Sequence, residues 1–313
     1  MDWLKKMMQD INQYKNIKPL VIGLGVAGKR HLEAQLNLGI KTGIYTTNPQ
    51  TVKSLKHQNN VIVFDNLEKA LNWANLVHVC TPDDKHTEYV ALALKKGKAV
   101  FCEKSFTTNL KDALYLQELS HKYNAALIVG QNYRLTPTFL ETKKIISEGK
   151  LGKITKIETT YFHDKNDFQQ RYAKQNFLYA GGSHAVDLAC WIAGEQVVGV
   201  KASSKNKLSF QITLKFSSGL IGKINLNANS SRLVSGTDLI VSGEKGKSAS
   251  NNKLGKVNIQ TLTIPKEIKI VDDYLSGKVK SYSPLPGVDE VIGTIKILDA
   301  IQKSVSSNQE LSL

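Results

Sequence analysis

Residues 18–33 read KPLVIGLGVAGKRHLE, and this stretch decides the fold. Leu20 to Ile22 form an apolar run without a helical period, which predicts a short buried strand. Three glycines follow in the spacing GxGxxG, and the residues after them predict a helix. Glycine-rich turns also serve as plain loops, but the flanking strand and helix favour a dinucleotide site. The backbone predicted to bind the cofactor phosphates belongs to Gly23, Gly25, Val26, Ala27 and Gly28.

The chain has 313 residues, of which 41% are hydrophobic, and this length and composition suit two folded domains. No apolar stretch reaches the roughly 18 residues of a membrane span, so we predict none. Residues 1–16 have mixed charge and no small-residue cleavage site, which predicts a helical N-terminal extension rather than a secretory signal. Three widely spaced cysteines without metal-ligand spacing predict free thiols, a cytoplasmic location and no metal site.

The formal net charge is +15, a value that nucleic-acid-binding proteins often share. The lysines are scattered along the chain, however, with no long basic block and no nucleic-acid motif. We therefore predict a solvated, lysine-rich surface and no nucleic-acid partner. Such a surface would also attract small phosphorylated molecules.

The second predicted strand, residues 41–45, bears on the choice between the two nicotinamide cofactors. An acidic residue at its end would bind the ribose 2′-hydroxyl of NAD and repel the 2′-phosphate of NADP. No acid lies between Ile44 and Lys56; the turn instead offers Thr46, Thr47 and Lys53. We therefore predict NADP or NAD as cofactor, with NADP favoured, while a merely polar turn remains an alternative.

Two further strand ends carry candidate site residues. In doubly wound sheets, ligands lie beyond the carboxyl ends of the strands. The strand of residues 76–80 ends at Thr81 and Pro82, and His86 begins the following helix, either near cofactor or in a structural hydrogen bond. The strand of residues 99–102 ends at Glu103 and Lys104. A lysine ammonium at this position could hold a substrate hydroxyl and move its proton.

The strand pattern divides the chain into two parts. Six predicted strands with helical crossovers up to residue 133 indicate an N-terminal Rossmann domain with a doubly wound parallel sheet. From Ile154 the apolar residues alternate, and turn signals recur at hairpin spacing. The predicted domains are therefore 1–133, which binds the cofactor, and 134–313, an α+β substrate and oligomerisation domain with an open, largely antiparallel sheet.

Residues 181–194 read GGSHAVDLACWIAG, which predicts a glycine turn, a Ser183 cap and a helix that ends at the last glycine. His184 and Asp187 are three residues apart and share a helix face. A histidine in the first turn meets the positive end of the helix dipole, which suits a general base near neutral pH. The alternative is that Asp187 bonds His184 only to hold the helix. We favour the functional role because the paired glycines would let a ligand approach the backbone.

Together these motifs resemble the Gfo/Idh/MocA family of glucose–fructose oxidoreductases and inositol dehydrogenases. The likeness covers the glycine turn, TPDDKHTE, CEK, VGQNYR and the GGSHAVD helix, and so nearly the whole chain. The resemblance implies a Rossmann domain, an open antiparallel α+β domain and NAD(P)-dependent hydride transfer to or from a secondary alcohol carbon. It assigns Lys104 the role of the family's catalytic lysine and His184 that of its substrate-helix histidine.

Two positions depart from the family pattern. Ser105 stands where the family has proline, and Ala180 where many members have aspartate. If relatives hold that proline in cis, either the Lys104–Ser105 bond is also cis or Lys104 points differently. Asp187 or Tyr179 could partly replace the missing aspartate.

The resulting hypothesis is an NAD(P)-dependent oxidoreductase acting on a sugar, cyclitol or nucleotide sugar. The predicted catalytic residues are Lys104, His184 and Asp187. The predicted substrate-binding residues are Lys104, Arg134, Tyr179 and His184, with a further polar segment at 163–172. The alternatives are a catalytically idle cofactor-binding sensor or scaffold and an NAD-dependent glycosidase. An open sheet face also predicts a homodimer or homotetramer.

Overall fold

The structure is a computed structural model that describes residues 17–164, 176–230, 235–252 and 258–313. The chain divides into two compact units. Unit 1 contains residues 1–107, 111–132 and 260–289, and unit 2 contains residues 108–110, 133–259 and 290–313. The predicted N-terminal extension, 1–16, and most of the polar segment, 165–172, lie outside the described residues.

Unit 1 is built on a parallel sheet whose described strands follow the order β3-β2-β1-β4-β5-β6. Its strands are β1 (Pro19–Ile22), β2 (Thr42–Tyr45), β3 (Val61–Phe64), β4 (Leu76–Val79), β5 (Ala99–Glu103) and β6 (Leu127–Gly130). The central strands β1, β4 and β5 are buried along their whole length. Strands covered on both faces read as continuous apolar runs, which is why short apolar runs located them in the sequence.

Helices connect these parallel strands, as the crossovers of a doubly wound sheet require. They are α1 (Val26–Asn37), α2 (Pro49–Leu55), α3 (Leu67–Trp73), α4 (His86–Lys95) and α5 (Leu110–Lys122). Asn48 caps α2 through the N–H groups of Gln50 and Thr51, and Pro49 occupies the first helical position. The predicted Rossmann domain is confirmed.

Unit 2 contains a mixed, mainly antiparallel sheet in the order β12-β11-β7-β10-β9-β8-β13, with β7 and β10 paired in parallel. The strands are β7 (Ile154–Asp164), β8 (Val197–Asn206), β9 (Ser209–Phe216), β10 (Ile221–Ser230), β11 (Gly236–Gly243), β12 (Gly246–Asn251) and β13 (Leu311–Ser312). The strands β12 and β13 were not predicted from the sequence. The first is largely exposed and polar, and the second has two residues, so neither carries an apolar pattern.

One face of this sheet is apolar and the other polar. Leu214, Ile212 and Phe210 on β9 pair with Gly222, Ile224 and Leu226 on β10, and these apolar side chains are buried. The opposite face carries the polar residues Lys201, Gln211, Lys215, Lys223 and Asn225. Three helices of this unit precede β8 in the chain: α6 (Pro137–Ser147), α7 (Phe177–Ala180) and α8 (Gly182–Ala193). This sheet confirms the predicted α+β second part.

Two long helices near the end of the chain are α9 (Ile259–Leu275) and α10 (Val288–Ser307). Residues 260–289 belong to unit 1, whereas the sequence analysis placed them in the second domain. Asn132 Nδ2 donates to Thr263 Oγ1 at 3.3 Å, and Val129 N to Pro286 O at 3.0 Å. A return of the chain to an earlier unit leaves no composition signal, so the sequence could not reveal it. Across the described ranges, no helix is both long and apolar enough to cross a membrane.

Candidate active site

The glycine turn after β1 has the geometry that a phosphate-binding turn needs. Gly23 has φ +87°, and a Cβ there would lie 2.8 Å from the carbonyl oxygen of Cys80. A Cβ on Gly28 would lie 1.9 Å from the carbonyl oxygen of Gly23. A Cβ on Gly25 would meet nothing within 4 Å. Gly23 and Gly28 are therefore required by close backbone packing, and Gly25 borders open space.

The N-terminus of α1 faces this turn without a side-chain cap. Gly25 is the N-cap residue and contributes no side chain, and the first helical hydrogen bond runs from Lys29 N to Gly25 O at 3.0 Å. Val26, the first helical residue, is 65% exposed. Uncapped N–H groups and the positive end of the helix dipole form an anion site. Open space beside Gly25 and this helix end fit the diphosphate of a dinucleotide.

Hydrogen bonds bring the neighbouring strand ends together around the turn. Gly23 N donates to Tyr45 O at 3.0 Å, and Cys80 N donates to Ile22 O at 2.9 Å. His86, the first residue of α4, is buried and lies between two loops. Its Nδ1 is 2.8 Å from Ser105 O and its Nε2 is 2.9 Å from Thr81 O. The structural hydrogen bond considered for His86 is therefore present; its contact with cofactor stays a prediction.

Lys104 lies at the end of β5, at the same edge of unit 1. It is half-buried and follows Glu103, the last residue of the strand. The Lys104–Ser105 peptide bond is cis, which is the first of the two possibilities left open above. Because His86 joins Ser105 to Thr81, Lys104 and the loop after β4 are held at one edge of the sheet.

A chain of buried polar side chains begins at Glu103. Glu103 Oε1 lies 2.8 Å from His31 Nε2, and His31 Nδ1 lies 3.1 Å from His78 Nδ1. His78 Nε2 lies 3.3 Å from Gln35 Nε2, which also donates to Asp272 Oδ1 at 3.2 Å. This series of hydrogen bonds was not predicted from the sequence. The available signal was a histidine in the middle of an otherwise apolar buried strand, β4.

The pKa values of the carboxyl groups around this chain are shifted in opposite directions. Burial opposes the charge on Glu103, but the His31 hydrogen bond and nearby positive groups bring its pKa below the ordinary value. Burial raises the pKa of Glu267 well above its ordinary value, and the Glu103 charge raises it further. Burial likewise lowers the pKa of His78 and raises that of Asp272 to about 7. Glu103 is therefore the ionised member of the pair with Glu267.

The residues expected to choose between cofactors lie on and after β2. Thr46 is half-buried and its Oγ1 accepts from Asn48 N at 3.3 Å. Thr47 is exposed, and Lys53 is an exposed residue in the last turn of α2. In unit 1, Thr46 thus shapes the capped turn that begins α2, and the charge of Lys53 is open to solvent.

In unit 2, the helix α8 begins two residues earlier than predicted. Gly181 is its N-cap residue, and no side chain caps the helix, so the Ser183 cap is wrong. A Cβ on Gly181 would lie 2.7 Å from the Tyr161 ring, and one on Gly182 would lie 3.0 Å from Leu226. The two glycines therefore let α8 pack closely on the sheet. Protein side chains fill the space beside Gly181 and Gly182 through which a ligand was predicted to approach the backbone.

The segment after β6 holds the first turn of α8. The Tyr133 ring stacks on His184 with centroids 4.1 Å apart and planes at 12°. Arg134 Nε donates to Asp187 Oδ2 at 2.8 Å and Nη2 to Oδ1 at 2.6 Å. Arg134 Nη1 donates to Glu290 Oε1 at 2.6 Å. Burial opposes the charge on Arg134, yet these two carboxylates bring its pKa above the ordinary value.

These contacts bear on the roles expected for Arg134 and Asp187. The Arg134 side chain is 3% exposed and that of Asp187 is 1% exposed. Both Asp187 oxygens bond the guanidinium, in the bidentate geometry of a strong ion pair. The pair therefore anchors the helix that carries His184. Roles for Arg134 in binding substrate and for Asp187 in proton transfer remain predictions without support from these bonds.

Tyr179 and Ala180 occupy the short helix α7, directly before α8. Asn176 caps this helix through Leu178 N at 3.1 Å. Tyr179 is buried, and burial together with the nearby Asp299 charge raises its pKa to about 12. Tyr179 is thus a neutral phenol, able to donate a hydrogen bond, as its predicted role requires.

A glycine turn with an uncapped helix N-terminus and a lysine at the same sheet edge define a nucleotide-binding protein of the Rossmann class. The chain matches a family described as an oxidoreductase family with an NAD-binding Rossmann fold over residues 17–131, and the C-terminal domain of that family over residues 139–249. It belongs to the Gfo/Idh/MocA family, and the predicted resemblance is confirmed.

Similar proteins agree with this assignment. The chain is 24% identical to inositol 2-dehydrogenase of Rhizobium meliloti over 289 residues, which cover 81% of this chain and 84% of that one. It is 33% identical to an uncharacterised oxidoreductase of Schizosaccharomyces pombe over 192 residues, 57% of this chain and 52% of the relative. The aligned part therefore spans about half the length of this second relative.

Solved structures show the same fold. The WlbA dehydrogenase of Bordetella pertussis, solved with NADH and UDP-GlcNAcA, has a TM-score of 0.82 at 20% identity, over 95% of this chain and 98% of that one. The scyllo-inositol dehydrogenase of Lactobacillus casei, solved with NAD(H) and scyllo-inositol, has a TM-score of 0.82 at 15% identity, over 95% and 99%. At these identities the likeness establishes the fold.

Proposed function

We propose that this protein is an NAD(P)-dependent dehydrogenase that oxidises a secondary alcohol of a cyclitol, sugar or nucleotide sugar, or reduces the corresponding ketone. One observation carries the proposal. The glycine turn and Lys104 lie at the same sheet edge of unit 1, and His86 connects the loops between them. The proposed phosphate site and the proposed proton-handling amine would thus share one sheet edge, where a doubly wound sheet binds ligands.

The proposed chemistry divides between cofactor and protein. A bound nicotinamide accepts or supplies the hydride. The N–H groups at the start of α1 hold the diphosphate, and Lys104 binds the substrate oxygen. In oxidation, the single hydroxyl proton would pass to one of the two proposed bases, Lys104 or His184; in reduction, Lys104 would polarise the carbonyl. Arg134 and Asp187 position His184, while Tyr179 remains a candidate donor to a substrate hydroxyl.

The substrate class rests on the relatives. An inositol 2-dehydrogenase aligns with most of the chain, and solved relatives bind scyllo-inositol or UDP-GlcNAcA. The cofactor NAD is supported by the family, and the preference for NADP rests on Thr46, Thr47 and Lys53 alone. Self-association as a homodimer or homotetramer also stays a proposal; light scattering of the eluted protein tests it.

Calorimetry with NAD, NADP and their reduced forms tests cofactor binding. Hydride transfer is then followed by the absorbance of the reduced nicotinamide. The substrates tested are inositols, sugars and nucleotide sugars. We expect binding of at least one cofactor pair and turnover of one substrate class. Lys104→Met should abolish turnover while cofactor still binds, and Lys98→Met, a change at another lysine of unit 1, should retain it. Absence of any cofactor binding would refute the proposal; binding without turnover would favour the catalytically idle alternative.

A further inference from the structure

A hydrogen-bond direction for the buried chain that ends at Glu103 can be inferred from the Gln35 amide. The Gln35 amide nitrogen carries protons and no acceptor lone pair, so it donates to both Asp272 Oδ1 and His78 Nε2. His78 Nε2 therefore accepts, and the proton of this neutral ring sits on Nδ1. That proton points at His31 Nδ1, 3.1 Å away, which must accept it. The remaining proton of His31 is then on Nε2 and points at Glu103 Oε1, 2.8 Å away.

This direction places a single negative charge at Glu103. Both imidazoles are neutral in the chain just described, and each donates towards the carboxylate. Glu267, on which the Glu103 charge acts, is fully buried, and neither of its oxygens has a hydrogen-bond partner among the described residues. A carboxylate without donors is unfavourable in such a site, so Glu267 keeps its proton. The Glu103–Glu267 pair therefore carries one charge, at the member that His31 bonds.

The charge lies at the functional edge of unit 1. Glu103 ends β5 directly before Lys104, and its side chain is 11% exposed, so the carboxylate is nearly buried beside that edge. The diphosphate site lies at the end of β1, and β4 and β5 continue the sheet to the side where the second nucleotide half of a dinucleotide binds. The oxidised nicotinamide ring is positively charged, whereas the reduced ring is neutral.

We propose that His31 and His78 are positioning residues that hold Glu103 as a carboxylate, and that this charge makes the site bind oxidised nicotinamide in preference to reduced nicotinamide. The inference rests on the proposed function, since it concerns the same site. It goes further in giving the site a preference between the two oxidation states. A negative charge stabilises the cationic ring and leaves the neutral ring almost unaffected, so it changes the ratio of two affinities.

Calorimetry on four proteins measures that ratio for the preferred cofactor. Glu103→Gln should lower the oxidised-to-reduced affinity ratio by about tenfold, the effect of one unit charge at a partly screened distance. His31→Met removes the donor and should lower the ratio in the same direction. His31→Gln, whose amide nitrogen can still donate to Glu103, should stay close to the wild-type ratio. A ratio unchanged in Glu103→Gln would overturn the proposal.

Nuclear magnetic resonance of the wild-type apo chain provides a second readout that needs no variant to fold. Long-range ¹H–¹⁵N spectra should show His31 protonated on Nε2 and His78 on Nδ1, both neutral. Carboxyl ¹³C shifts should show Glu103 ionised and Glu267 protonated. A doubly protonated His31, or a protonated Glu103, would overturn the inference. If wild type binds neither cofactor form, the proposed function fails, whereas bound cofactor with an unmoved ratio defeats this inference alone.

Discussion

The two units hold their candidate reactive groups by different physical means. In unit 1, the carboxylate beside Lys104 is supported by neutral side chains, Gln35, His78 and His31, whose hydrogen bonds all point one way. In unit 2, the helix that carries His184 is held by a buried ion pair between Arg134 and Asp187. The first arrangement stabilises a carboxylate through neutral donors, and the second pairs a carboxylate with a buried cation. Unit 1 therefore orients a charge beside Lys104, whereas unit 2 fixes the position of a helix.

Removal of one member of the ion pair is the strongest way to test this contrast. Arg134→Met leaves Asp187 charged and buried, which should cost about 3–5 kcal/mol of unfolding free energy. Urea unfolding followed by circular dichroism measures the loss. Lys144→Met is the control, because Lys144 is exposed and lies 4.0 Å from Glu148; it should change stability by under about 0.5 kcal/mol. A double Arg134→Met, Asp187→Leu variant should recover much of the loss, and a stable single variant would contradict the anchoring role.

Asp272, at the end of the buried hydrogen-bond chain opposite Glu103, predicts that the stability of the protein depends on pH. Burial raises the pKa of Asp272 to about 7, with a further contribution from Asp273. Native Asp272 therefore keeps a proton that the unfolded chain loses near pH 4, so this group lowers stability as pH rises from about 4 to 7. Asp272→Asn removes the effect and keeps an acceptor for Gln35. The variant should gain about 2–4 kcal/mol relative to wild type across that window.

Urea unfolding of both proteins at several pH values measures this difference. A constant gap between the Asp272→Asn and wild-type curves would show that Asp272 is ionised in the native protein. In that case Asp272 would add a second buried charge to the chain, and the contrast with unit 2 would weaken.

Removing a neutral member of the buried hydrogen-bond chain should cost less unfolding free energy than removing one member of the ion pair. His78→Leu leaves His31 Nδ1 and one Gln35 N–H without their partner, for a loss of about 1–3 kcal/mol in unfolding free energy. The measurement is the same urea titration at pH 7. A loss as large as that of Arg134→Met would mean that His78 carries charge, and the two units would then be held alike.

The sequence predicted the parts of this molecule that depend on local pattern. Short apolar runs and residue spacing predicted the glycine turn, the doubly wound class of sheet and the place of Lys104 at a strand end. They could do so because parallel strands and helix starts have local signatures. The Arg134–Asp187 pair joins residues 53 positions apart, and Gln35 meets Asp272 across 237 positions. No local pattern encodes such partners. The Gly181–Gly182 interpretation was wrong for the same reason, since the rings and methyls that fill the space come from distant residues.

The smallest expected effect concerns the exposed edge of unit 1, where solvent screens charge. Lys53 lies in the last turn of α2 and is exposed, in contrast to the buried charge of Glu103. Lys53→Glu should weaken NADP relative to NAD by about threefold to fivefold, consistent with an exposed charge pair worth at most about 1 kcal/mol. Calorimetry at low and high salt measures the ratio, with Lys56→Glu as the matched control. Because exposed charges are screened, the change should shrink at high salt, whereas the effect of Glu103→Gln should persist. An NADP-to-NAD ratio unmoved by Lys53→Glu would remove the charged part of the basis for an NADP preference and leave only the hydroxyls of Thr46 and Thr47.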